Sequence, residues 1–450
     1  MLSKALLAAA KAVEPVYVEN VFQTWLYTGN GSTQTITNGI DLSGKGGLVW
    51  IKNRNGTSFG NVDHCLHDSA RGVTKSLASN LTSQEFDQTT GGVTSFAATG
   101  FSIGSFPRYN DNGFTYASWT FREAAKFFDV VTYTGNGGSQ TLSHSLGTTP
   151  GFVIIKRTDS TSDWVVWHRS FSLTNTAEGM KLNTTDAFGS QSGNSVWSST
   201  TPMTSTTFGV QASGAGSWNT NLIGGTYVAY LFAHDAGGFG DAGTDSVIKC
   251  GSFTANGSGH IGTVNLGWEA QWVLLKRSDG TSSWFMFDTM RGLSVTDAAY
   301  FTANGSGAEA SFGSPGIIFP TATGFSGTES FWGANTNWIY IAIRRGPMKT
   351  PTVGTEVFAM DTLGGTLPNP PGFNSGFPVD MGWYVDRSSP GVVACTRLQG
   401  NQDLYPYLSN AEGASSRAFD YNNGWLSGTG VASSFLSWMF RRAPGFFDVV

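Results

Sequence analysis

GLVWIKNRNG at residues 47–56, GFVIIKRTDS at 151–160 and QWVLLKRSDG at 271–280 are variants of one pattern: an apolar run that ends on a lysine and breaks into a polar turn. A short run of this kind, rich in β-branched and aromatic residues and bounded by turn formers, reads as a strand covered on both faces. MGWYVDRSSPG at 381–391 is a fourth version, with Asp386 at the place taken by Lys52, Lys156 and Lys276 in the others. Upstream of the runs, YTGNG begins at Tyr27 and again at Tyr133, a weaker FTANG begins at Phe253, and a degenerate copy lies near Phe358. Downstream, a second strand ends near Arg71, Arg169, Arg291 or Arg397, and a closing apolar strand follows: FTYASWTFRE, GTYVAYLFAH, NWIYIAIRRG or SFLSWMFRRA. One unit therefore occurs four times, a repeat whose period fixes the domain frame.

The frame gives boundaries near 21–128, 129–240, 241–348 and a divergent 349–450, after a leading segment 1–20. A unit of about 100 residues with short strands and Gly-Asn or Asn-Gly turns has the size and grain of a β-sandwich. The composition agrees: among 450 residues only 13% are charged while 59 are glycine, which disfavours helix and favours strand and turn. The expected fold is all-β, four tandem jelly-roll-like sandwiches strung into a rod. FFDVV at 127–131 recurs at 446–450, so a further repeat is expected to begin there and the polypeptide to continue.

Residues 1–20 suggest a short helix with Leu2, Leu6, Ala9 and Val13 on one face, stopped by Pro15 and too short to stand alone, hence a docking segment. Its six-residue apolar core, ALLAAA, falls short of a secretory signal. No apolar run is long enough to span a membrane. The net charge of −5 gives no footprint for nucleic acid. Cys65, Cys250 and Cys395 suggest neither a disulfide framework nor a zinc site.

Catalytic patterns are weak. Gly100-Phe101-Ser102-Ile103-Gly104 fits GxSxG, but no helix-forming stretch follows it, and Gly324-Phe325-Ser326-Gly327 repeats the strand-like pattern. His64 and His67 lack the spacing of a helical metal pair, and the remaining histidines are scattered. Asp159, Asp163 and Asp279 sit where turns favour aspartate. The recurring lysines and arginines read as frame residues that bridge sheet edges or bond turn carbonyls, with an anion site as the alternative. No catalytic, cofactor-binding or metal-binding residue is assigned, and no enzyme is expected. Trp50, Trp119, Trp164, Trp284, Trp338 and Trp438 lie in strands and read as core, whereas Trp197, Trp218, Trp332 and Trp425 lie in Gly/Ser/Asn-rich loops. These four are the candidate glycan contacts, since an exposed ring beside amides and hydroxyls suits a sugar face.

The strings MLSKALLAAAKAVEPVYVENVF, YTGNGSTQTITNGIDLSG, KFFDVVTYTGNG and IYIAIRRGPMKTP resemble a repeated domain of unknown function in tail-fibre-like virion proteins of marine bacteriophages, of cyanophage and pelagiphage type. The resemblance covers essentially the whole chain and weakens over the fourth unit. It implies a structural component of the phage tail, assembled in the host cytoplasm, bound to other virion proteins through its N-terminus and to itself, as a homotrimer. A glycan-binding adhesin acting through the loop tryptophans, a head-decorating fibre and a polysaccharide depolymerase are the alternatives.

Overall fold

The computed structural model describes residues 14–56, 60, 62–89, 91–171, 178–190, 196–198, 200–211, 218–362, 371–388, 391–414, 418–425 and 434–450. The leading helix expected before Pro15, with Leu2, Leu6, Ala9 and Val13, lies outside the described residues; beyond Pro15 a 3₁₀ turn spans Val18–Asn20.

The chain is all-β, and every unit is built alike. In the first, an opening strand Phe22–Thr28 pairs with the closing strand Thr115–Arg122. The closing strand pairs in turn with the lysine strand Gly47–Asn53, and that with a fourth strand Cys65–Asp68, all antiparallel. A smaller sheet joins Gln34–Thr37 to Gly100–Ile103. The same order, opening–closing–lysine–fourth, recurs in the other three units. Period-2 geometry divides each strand between two faces. One face carries Tyr27, Val49, Ile51 and Tyr116, which close on Ile36, Phe101 and Ile103 of the smaller sheet to make the sandwich core. The third and fourth units have equivalent cores of their own.

The opposite face of each large sheet is covered over most of its area in the first three units. Leu48, Trp50, Trp119 and Phe121 of the first join Phe152, Ile154, Tyr230 and Phe232 of the second and Trp272, Leu274, Ile341 and Ile343 of the third in one continuous core. Phe121 lies 5.6 Å from Phe232 and 5.8 Å from Trp272, ring centroid to ring centroid. The rod expected from tandem repeats is therefore wrong for these three. Strands apolar on both faces need cover on both, and a bead in a row covers only one; three units closing about a common axis cover the second.

Past the fourth strand each unit sends out a two-stranded arm: Lys75–Ser76 with Phe86–Asp87, Glu178–Lys181 with Gly189–Ser190, and Ala299–Thr302 with Ala310–Ser311. Each arm grips the next unit. Glu85 N–H donates to Thr158 O (2.9 Å), Phe188 N–H to Ser278 O (3.0 Å) and Glu309 N–H to Arg54 O (2.7 Å), so first holds second, second holds third, and third holds first. The contacts form a closed ring with pseudo-threefold symmetry inside one chain.

The fourth unit docks on this body by edges and loops. Arg442 pairs with Glu269, Arg345 with Asp380, and Arg54 with Asp420. Strand pairing also corrects the sequence frame. Trp383 pairs with Trp438 as Trp50 pairs with Trp119, which puts Val385, not Asp386, at the lysine position.

Candidate functional site

The recurring cations lie at the junctions of the ring. Lys52 Nζ donates to Val62 O of its own turn (2.8 Å) and to Ser306 O in the arm of the third unit (3.1 Å). Lys156 repeats this with Ser162 O (2.7 Å) and Thr82 O of the first unit (3.0 Å). Lys276 does so with Ser282 O (2.5 Å) and Thr185 O of the second (2.8 Å). All three are buried. Burial pushes Lys52 down to about 8 and Lys156 and Lys276 to about 7, against nearby carboxylates that act in the other direction. The two carbonyls held by Lys156 and by Lys276 match the two N–H groups of a neutral amine, so each lysine keeps both bonds in either charge state.

A second set of residues reads across the same junctions. Asp68 accepts from Arg71 Nε (2.6 Å) and from Tyr230 OH of the second unit (2.8 Å), and Arg71 also reaches Glu85 (2.9 Å). Asp288 accepts from Arg291 Nε (2.6 Å) and from Trp119 Nε1 of the first unit (3.0 Å), and Arg291 reaches Glu309 (3.2 Å). At the third junction the same places hold His168, Phe171 and Phe188: the imidazole meets Tyr340 O at 3.1 Å, and the two phenyl rings stack at 3.9 Å. An aromatic pair thus replaces a buried ion pair within one ring. Only Arg71 and Arg291 of the four arginines share this position; Arg169 and Arg397 sit two places earlier on their strands, where Arg169 N–H bonds Gly151 O and Arg397 N–H bonds Asp380 O.

The four loop tryptophans proposed as sugar contacts are corrected by burial. Trp197 is 1% exposed, Trp218 4%, Trp332 1% and Trp425 0%, and a ring with no free face cannot stack on a sugar. Trp332 Nε1 donates to Ile317 O and Trp425 Nε1 to Ser437 Oγ, and Trp425 lies in a strand of the fourth unit's smaller sheet, paired with Phe373; these indoles are core. Trp438, expected to be core, is only half-buried.

The other candidates have local duties. Ser102 lies in a plain strand and meets Thr35 Oγ1 at 3.1 Å across the smaller sheet. His64 joins Trp50 Nε1 to Thr302 O of the third unit, and His67 is held between Val73 O and Tyr109 OH; burial keeps both imidazoles well below their ordinary range. Asp159 and Asp279 pair with Arg157 and Arg277 and accept the N–H groups of Thr226 and Asn337, which start the closing strands. Among the described residues no group of three or more His, Cys, Asp and Glu side chains is placed to hold a metal ion. No helix among them is long and apolar enough to cross a membrane.

Two surfaces stand out among the described residues. One is the polar cleft between the third and fourth units, where Glu269, Asp380, Arg345, Arg397 and Arg442 meet; Glu269, Arg345 and Arg442 also line a cavity of about 520 Å³. The other is the outer face of the fourth unit's large sheet, where Met360 is 59% and Trp383 38% exposed. Sequence reasoning missed this second surface because its strands look like those of the buried units.

Residues 18–347 match a family described as a domain of unknown function, DUF7483. The matched span opens at the 3₁₀ turn before the first strand and stops just after the third unit's closing strand, which ends at Arg344. It coincides with the three-unit ring. No curated protein matches the chain.

Proposed function

The chain belongs to the DUF7483 family, and from that premise we propose that it is a structural, non-enzymatic component of a bacteriophage virion, a tail-fibre protein in which the ring serves as a rigid node. The observation that carries the scaffold reading is the use made of the recurring cations. Lys52, Lys156 and Lys276 are buried with their donors directed to carbonyls of two units, so they hold the fold and face no ligand. The virion setting rests on the resemblance of the YTGNG and AIRRGPMKTP strings to phage tail-fibre proteins. In this reading the part of the 1–20 segment that precedes the ring docks the protein to other tail proteins, and the fourth unit faces outward toward the host. Burial of Trp197, Trp218, Trp332 and Trp425 removes the specific support for a glycan-binding adhesin.

Gold-labelled antibody against the chain, applied to intact particles from a lysate of an infected marine bacterium, tests the setting. Label on the tail fibres is expected. Label on the head would move the protein to head decoration, and particles without label would overturn the virion reading. Val18 is buried in the ring core and Glu19 accepts from the N–H groups of Met348 and Lys349, so the test removes only residues 1–13. That deletion is expected to leave folded protein that no longer enters particles, and normal incorporation would contradict the docking role.

A further inference from the structure

The outer face that closes the ring in the first three units is present, and open, in the fourth. Pairing registers place Trp383 and Trp438 where Trp50 and Trp119 stand, the latter 2% and 0% exposed at the ring axis. Met360 faces outward on the opening strand beside Trp438 and is 59% exposed. The fourth unit also carries the arm, Gln402–Asp403 with Gly413–Ala414, joined to the sheet by an Ala394–Leu404 bridge as the first arm is joined by Leu66–Leu77. In the ring such arms lie on a neighbouring unit. Here, among the described residues, the arm's connecting turn lies on no other unit's sheet and presents two large apolar side chains, Tyr407 55% and Leu408 46% exposed.

We propose that the fourth unit forms a second ring with the fourth units of two more copies of this chain, through the sheet face of Trp383 and Trp438 and with each arm laid on its neighbour. The precedent is within the molecule: the same face and the same arm close a three-membered ring when three such units meet. The chemistry of the face fits identical partners. A threefold axis brings equivalent side chains together, so a charge on the face would confront its own copies. Val385 replaces the lysine, and by the same register Thr396 stands where Asp68 does. Exposed Trp and Met on a continuous sheet face, bare of charge, are what an obligate interface shows before assembly. The proposal rests on the virion reading only for its biological setting; the surface stands on the geometry.

Light scattering coupled to size exclusion on the purified 450-residue chain reads the outcome directly. A mass three times the 47.8 kDa of one chain is expected at micromolar concentration. Trp383→Lys is expected to lower the mass threefold while leaving the ring's melting transition in place. Should that variant lose the fold of its unit, Met360→Lys, at a more exposed position of the same face, carries the same expectation. A wild-type chain of single mass, a dimer, an open-ended polymer, or a folded Met360→Lys that stays trimeric would each overturn the proposal. None of these results bears on where the protein sits in a particle, so failure here and failure of the virion reading are separate events.

Discussion

Lys156 and Arg291 show how single side chains decide the assembly. Arg291 and Asp288 have fully buried side chains, paired at 2.6 Å. Arg291→Met strands the carboxylate, and a broken buried pair of this kind costs about 3–5 kcal/mol; urea unfolding of the variant checks it, and a loss below about 1 kcal/mol would contradict the pairing's role. The lysines give a pH signature. Burial sets their folded values near 7–8, below the ~10.4 of an unfolded lysine. Across that window the unfolded chain binds more protons, so their contribution to stability rises with pH from about 7 toward 10. His67 and His168, held near 3 by burial, give the same sign between about 3 and the ~6.5 of an unfolded histidine. Glu123, raised to about 7 by burial, works against them between about 4.5 and 7. The thiols of Cys65 and Cys250, raised by burial, work against the lysines above about pH 8.5. The urea midpoint is therefore expected to climb from pH 7 to about pH 8.5; a level or falling midpoint over that range would contradict the depressed lysine values.

At the scale of elements, the repeated strings prove to be close-packing devices. In YTGNG the tyrosine hydroxyls bond back to Tyr109 O and Thr220 O, and Asn30 and Asn136 exchange bonds with Asn110 and Asn221. The first glycine has no room for a side chain: a Cβ on Gly29 would lie 2.1 Å from Asp111 O, and one on Gly135 2.1 Å from Leu222 O. The GxSxG-like string has a similar origin, since a Cβ on Gly100 or Gly324 would lie 1.9 Å from the carbonyl of Ile36 or Val264 in the paired strand. Gly324→Ala is expected to push that strand away and lower the melting temperature by several degrees, roughly 2 kcal/mol; an unchanged temperature would mean that the sheet yields. Strands, turns and their fourfold recurrence were legible because periodicity and turn chemistry are local. The four tryptophans misled because a Gly/Ser-rich setting was read as exposed, while tertiary packing buries all four rings. The Asp386 alignment failed by one residue, a shift that only cross-strand pairing fixes.

For the whole molecule, what the sequence concealed was closure. Two-sided apolar strands announced that both faces were covered, and nothing local said that the cover was another repeat. The span that matches the DUF7483 family, 18–347, covers the three sandwiches of the ring together rather than one of them. The ring should melt as one body, because the faces of Trp50, Ile154 and Leu274 lose their cover if any unit leaves. The amides of Glu85, Phe188 and Glu309 report on this most directly, each donating across a junction to the next unit. Native-state hydrogen exchange of the full chain should find all three protected as strongly as the closing-strand amides of their own units, exchanging only when the ring opens globally. Exchange of these three at nearly unprotected rates, with the closing strands still protected, would mean that the units are independent beads and that the ring does not exist.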